Sequence, residues 1–186
     1  MVSARVGYDA PSGLYVDGSG TVAFARGDEV RFLGVQGDVG YARRVGNGWS
    51  IDLGAAHNQI SLPYGSYNYS EAYVGIARSP VSAYLFVSPN YFRSGVVTVY
   101  GQVDASVSPV RNWLISAHLG SLNILERAEY PYSGSSSKYD WRLGIQREFG
   151  NVEAHVAVSG GGPGRQYYDG LSHSRTAVTA GMSASF

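Results

Sequence analysis

Apolar and polar residues alternate with a period of two along most of the chain. In 49–55, Trp49, Ile51, Leu53 and Ala55 share one face while Ser50, Asp52 and Gly54 share the other. In 97–107, Val97, Val99, Val103, Ala105 and Val107 oppose Thr98, Tyr100, Gln102, Asp104 and Ser106. The stretches 113–120, 139–146, 152–159 and 178–186 repeat the pattern. Period two is the signature of a strand with one apolar face, and helical periodicity is almost absent. Gly, Pro, Asn and Ser break the alternation and mark turns. The pattern predicts eleven strands, at 2–10, 14–25, 29–43, 49–58, 69–78, 81–88, 96–107, 113–120, 139–148, 152–159 and 175–186.

The predicted connections alternate in length. Short ones fall at 11–13, 46–48, 79–80, 108–112 and 150–151; long ones at 59–68, 89–95, 121–138 and 160–174, with 26–28 a brief exception. Short turns at one rim and long loops at the other is the plan of an outer-membrane barrel. The expected fold is therefore all-β, an antiparallel up-and-down transmembrane β-barrel of about twelve strands, eleven of them in this chain, forming a single domain over 1–186.

Alternation alone does not say which face looks inward, and a lipocalin-like barrel or a β-sandwich would bury the apolar one. Three features favour an outward apolar face. Aromatics gather near strand ends, at Tyr8, Trp49, Tyr69, Trp113, Tyr139, Trp141, Phe149 and Phe186, where membrane barrels carry interfacial girdles. So many strands enclose more space than a dry core fills. The last strand ends in Phe186, the kind of terminus the outer-membrane insertion machinery recognises. Counting eleven strands back from a periplasmic Phe186 puts the first strand's start outside the cell. The expectation is that a further strand and a signal peptide precede Met1.

Composition narrows the classes. Charged residues make up 15% of the 186, against about 25% in an ordinary soluble domain. Gly numbers 25 and Tyr 15. Cys is absent, which excludes disulfides, thiolate metal sites and a cysteine nucleophile. Lys+Arg and Asp+Glu both number 14, and a neutral chain argues against a nucleic-acid binder. No run approaches the roughly 18 apolar residues of a membrane-spanning helix, a test that strand-crossing proteins also pass.

Several segments resemble a known family. Val87-Ser88-Pro89-Asn90-Tyr91-Phe92-Arg93-Ser94-Gly95, followed by the strand over 97–107 and Ser108-Pro109, resembles the "YSPDYFG" stretch of the TorF family of porins. Ser12-Gly13-Leu14-Tyr15-Val16 resembles that family's "SGFYAG" hairpin entry, and Ser116-Ala117-His118-Leu119-Gly120 its "SAHVGY" strand. The closing Phe resembles its terminus. Members usually carry one more N-terminal strand, with a "SDYRFRG"-like segment, ahead of the region where this chain starts. The resemblance implies an outer-membrane barrel and a channel, and it brings no catalytic residues.

The polar faces are expected to hold Arg5, Asp9, Asp17, Asp38, Asp52, Glu71, Asp104, Asp140, Arg142 and Glu153, with Tyr100, His118 and His155. Eight carboxylates against two arginines would make a wet pore acidic and favour cations. The competing expectation is a hydrogen-bonded plug with Tyr15, Tyr73, Tyr84 and Tyr100 that conducts little. Ser116 and His118 lie two apart on one face, and a few outer-membrane enzymes use Ser and His on barrel strands to cleave or move lipid acyl chains, but no nucleophile elbow accompanies these two. His57, His118, His155 and His173 lack metal-ligand spacing, so no metal is expected, and nothing in the sequence calls for a cofactor. The run 160–164, Gly-rich and without a following Lys, reads as an outer loop rather than a phosphate loop. Asn68-Tyr69-Ser70 fits a glycosylation sequon that a bacterial barrel would not use. Tyr130, Tyr132, Tyr167 and Tyr168 fall in predicted loops.

The expected function is thus a non-enzymatic, narrow channel for ions or small polar solutes. The alternatives are a closed structural or adhesive barrel, then a lipid-modifying enzyme. Expected partners are outer-membrane lipids and lipopolysaccharide, and the insertion machinery through Phe186. No nucleic acid is expected, and the chain is read as a monomer.

Overall fold

The computed structural model describes residues 2–24, 30–62, 65–91, 96–126, 137–162 and 175–184. They form eleven strands: β1 (Val2–Asp9), β2 (Leu14–Phe24), β3 (Val30–Gly46), β4 (Trp49–Leu62), β5 (Gly65–Arg78), β6 (Val81–Ser88), β7 (Val97–Val107), β8 (Trp113–Glu126), β9 (Ser137–Phe149), β10 (Val152–Gly162) and β11 (Arg175–Ala184). Their order in the sheet is their order in the chain, and β1 and β11 are its ends. The fold is all-β and up-and-down, as the alternation predicts.

The expected ends change in four places, the first being β3, which runs three residues past 43 to Gly46. The long connection over 59–68 does not exist: β4 runs to Leu62, β5 starts at Gly65, and only residues 63–64 separate them. β8 continues through the expected loop to Glu126. Gly160, Gly161 and Gly162 belong to β10 rather than to a loop, pairing with Trp141, Asp140 and Tyr139 of β9. In β10 the extension is all glycine, so period two vanishes while backbone pairing continues; in β4 and β8 it puts Ile60, opposite Gly34, and Leu122, opposite Lys138, on the otherwise polar face, which inverts the alternation.

The short turns follow from glycine and asparagine. Asn47 and Gly48, at φ 48° and 78°, form the two-residue Asn-Gly loop whose double positive φ matches strand twist. Gly150, at φ 63°, opens the β9–β10 loop.

The described chain divides into two compact units. The first comprises Met1–Ile76, Leu85–Val99 and Ile124–Tyr130; the second comprises Ala77–Tyr84, Tyr100–Asn123 and Pro131–Phe186. In both, the apolar set of each strand is exposed. In the first unit Val6 is 79% exposed, and Leu14, Val16, Val39, Leu53 and Val74 are also exposed. In the second unit Leu119, Leu143, Val156, Val178 and Met182 behave likewise. Among the described residues the buried hydrophobics are Ala56, Val96 and Ala157, joined by the polar Ser88 and Thr98. A soluble sandwich would interdigitate its aliphatic faces in a dry core; here those faces stand open.

Candidate functional site: two polar clusters and a cavity

Direct ladder partners share a face, so the registers place the polar positions of β1 to β4 and of β8 to β11. In the first unit Asp17 stands opposite Asp38, and Asp38 opposite Ala56. Arg5, opposite Ser19, reaches along β1 to donate from Nε to both oxygens of Asp17, at 2.9 and 2.8 Å. Gln36 Nε2 donates to Asp38 at 3.1 Å. Tyr15 hydroxyl donates to Asp52 Oδ1 at 2.9 Å and meets the hydroxyl of Tyr73. Both rings lie flat against glycines of neighbouring strands, Tyr15 on Gly40 and Tyr73 on Gly54. A glycine beneath an aromatic ring is a recurrent device for pinning register. Asp9, Arg5, Tyr15, Asp17, Asp38 and Tyr73 border a cavity of about 290 Å³. Glu71 shares β5's polar face with Tyr73, two residues away.

In the second unit His118 of β8 is held from both sides. Its Nδ1 donates to Asp104 Oδ1 at 2.7 Å and its Nε2 to Asp140 Oδ1 at 2.8 Å. Ionised carboxylates only accept, so this pair of bonds suits an imidazole with a proton on each nitrogen. Tyr100 hydroxyl lies 3.2 Å from both oxygens of Asp140 and from His118 Nε2. Gln102 Nε2 donates to Asp104 Oδ2 at 3.1 Å. Gly120, Asp140's ladder partner, gives the room: a Cβ there would meet Asp140 at 2.7 Å and the ring of Tyr100. Asp104, His118, Asp140 and Arg142 line a cavity of about 980 Å³ with Ser116, Ser159 and Arg175. Glu153 and His155 occupy the same face of β10, opposite Glu148 and Gln146, their side chains 3.9 Å apart.

The registers thus bring two groups together, Arg5 with Asp17, and Tyr100, Asp104 and Asp140 around His118. They also enlarge the set. Arg31 pairs with Ala23, Arg44 with Ser50, Lys138 with Leu122, Arg175 with Gly161 and Glu148 with Glu153, so all five join the polar face. Among the described residues the eight-to-two ratio becomes nine carboxylates to six cationic side chains. Ser116 makes no bond to His118, whose two nitrogens are already engaged. No cluster of three or more potential metal ligands occurs among the described residues.

Tyr8, Trp49, Trp113, Tyr139, Trp141 and Phe149 fall on the exposed apolar face at or near strand ends. Arg147 lies over the rings of Trp113 and Phe149, 4.9 and 4.6 Å from their centroids. Trp141 covers Gly160. Tyr69 departs from expectation. It shares the polar face with Glu71 and Tyr73 and packs edge-on against Tyr91 at 5.0 Å. His57 sits on the opposite face, bonded to Ser70 at 2.9 Å. Phe186, Tyr130, Tyr132, Tyr167, Tyr168 and His173 lie outside the described residues.

No helix among the described residues is long and apolar enough to cross a membrane, which leaves crossing by strands untouched. No protein-family model matches the chain. No curated protein sequence matches it either. Among solved structures it is similar to the NanC porin, with a TM-score of 0.62 over 100% of both chains at 11% identity. At that identity the likeness is one of fold. The chain has the up-and-down antiparallel β fold of a porin.

Proposed function

We propose that the protein is a passive outer-membrane channel for ions or small polar solutes. The observation that carries this reading is the exposure of the aliphatic face on strand after strand, with Tyr, Asp, Arg and His on the face behind it. In water such a surface drives aggregation; in a bilayer it is the solvent-matched side of a membrane barrel. The porin fold supports the same reading. A polar face with nine carboxylates and six cations gives a wet lumen a mild preference for cations.

On this reading Arg5, Asp9, Asp17, Asp38, Asp52, Glu71, Tyr100, Asp104, His118, Asp140, Arg142, Glu153 and His155 face the lumen. Tyr8, Trp49, Trp113, Tyr139, Trp141 and Phe149 sit at the membrane interfaces. Outer-membrane lipids and lipopolysaccharide are the partners of the apolar face, and Phe186 is the handle for the insertion machinery. The resemblances at 12–16, 87–95 and 116–120 support a place in the TorF family.

Planar-bilayer recording of the purified, folded protein tests the proposal. Discrete conductance steps with a reversal potential displaced modestly toward cations are expected. A folded protein that inserts and stays silent overturns the channel. A second reading, a closed structural barrel, draws support from the Tyr15–Tyr73–Asp52 and Tyr100–Asp104–His118–Asp140 clusters, which tie neighbouring strands with satisfied hydrogen bonds.

A further inference from the structure

The geometry points to an oxyanion-binding subsite in the second unit, on the strip of sheet between Arg142 and Arg175, taking a small solute that bears a phosphate or carboxylate group. It deepens the channel reading by naming a class of solute, but its binding is measurable without conduction.

Arg142 of β9 and Arg175 of β11 share one face. Between them runs β10, where Ser159 pairs with Arg142 and Gly161 with Arg175. The same face of β10 carries Ala157, so the floor between the two arginines consists of small residues. Strand spacing puts β9 and β11 about 10 Å apart across that floor, wide enough for a small solute. The cavity above it, about 980 Å³, is lined by both arginines and by Ser116 and Ser159.

The arginines are available because the nearby carboxylates are not. Asp140 lies two residues before Arg142 on the same face and is its natural partner. It is instead held by His118 at 2.8 Å and Tyr100 at 3.2 Å. Asp104 is held by His118 at 2.7 Å and by Gln102 at 3.1 Å. Among the described residues neither Arg142 nor Arg175 has an ion pair or a side-chain hydrogen bond. His118, the direct partner of Arg142, thus acts as a positioning residue, keeping two carboxylates off a pair of guanidiniums. Guanidinium forks bind carboxylate and phosphate oxygens two at a time, and the Ser159 hydroxyl between them supplies a further donor.

Calorimetric titration of the full chain, folded in detergent, tests the subsite with three probes: glycerol 3-phosphate, gluconate and glycerol. The two anions are expected to bind and glycerol not to. Whichever anion binds more tightly identifies the head group. R142Q and R175Q should each weaken anion binding at least tenfold, R142K less than R142Q, and H118N several-fold by releasing Asp140 toward Arg142. Equal binding of glycerol and the anions, or wild-type affinity in the R142Q/R175Q double variant, overturns the subsite. In bilayers, a silent protein that still binds anions through its arginines refutes the channel and keeps the subsite. A conducting protein that binds them independently of the arginines does the reverse.

Discussion

The ring of Tyr15 lies directly on Gly40, its partner across the β2–β3 ladder. The hydroxyl continues to Asp52 and to Tyr73, whose own ring lies on Gly54. The first unit's polar face is therefore built by lying large rings flat over absent side chains. Gly40→Ala and Gly54→Ala should each destabilise the protein by about 1–3 kcal/mol, the usual cost of overpacking. Gly18→Ala is the control, since the nearest atom to its Cβ would be Gln36 O at 3.9 Å. Urea unfolding in micelles reads the difference, and equal stability of all three variants would show that the rings are not seated.

Asp17 and Asp38 face each other across the same ladder, and like charges directly opposite are unfavourable. Arg5 offsets them from a largely exposed position, with 77% of its side chain accessible, so solvent screening leaves its contribution to stability small. Its effect on permeating ions should be larger. Arg5→Gln is expected to move the reversal potential in a salt gradient toward cations, and Asp38→Asn to move it back. A shift of opposite sign in either variant would place this pair away from the conduction path.

Ser116 and His118 share one face of β8 two residues apart, yet the imidazole has no nitrogen left to activate the hydroxyl. A fluorophosphonate probe should leave Ser116 unlabelled, and Ser116→Ala should leave folding and conductance unchanged. Stoichiometric labelling at Ser116 would reopen the lipid-modifying reading. His118→Leu should lower stability only slightly, because the two carboxylates it releases are 40% and 46% accessible to solvent and Asp140 gains Arg142 as a partner.

The strands were legible because period two depends on one exposed apolar face, a local property. Their ends were not, because His57 to Leu62 and Gly65 to Asn68 present polar groups on both sides. Tyr69 could have been placed by parity, since it stands an even number of residues from Glu71 and Tyr73; its nearness to a strand end obscured this. Arg175 shares parity with Thr179 in the same way. Arg31 could not be placed so. A bulge shifts the β2–β3 register between Thr21 and Val22, passing over Leu33, and turns Arg31 to the face that simple alternation denies it. The grip on His118 needs the registers of three strands at once, which no single stretch of sequence contains.

The orientation of the two faces can be tested on one strand. Val178 and Thr179 are adjacent in β11, and Val178 is 70% exposed on the aliphatic face, opposite Val158 of β10. Thr179 points to the other face, opposite Ala157. In a water-soluble protein an arginine at exposed Val178 would be nearly neutral, whereas in a bilayer it meets hydrocarbon. Near the midplane that costs about 2–4 kcal/mol in a transmembrane barrel. Val178→Arg should therefore slow insertion into lipid vesicles and lower the folded fraction, while Thr179→Arg, directed at the polar side, folds with near-normal yield. The two substitutions add the same charge to neighbouring residues, so propensity and net charge cancel in the comparison, and the sign of the difference reports which face meets lipid. A larger penalty at Thr179 than at Val178 would reverse the orientation and remove the basis for a channel.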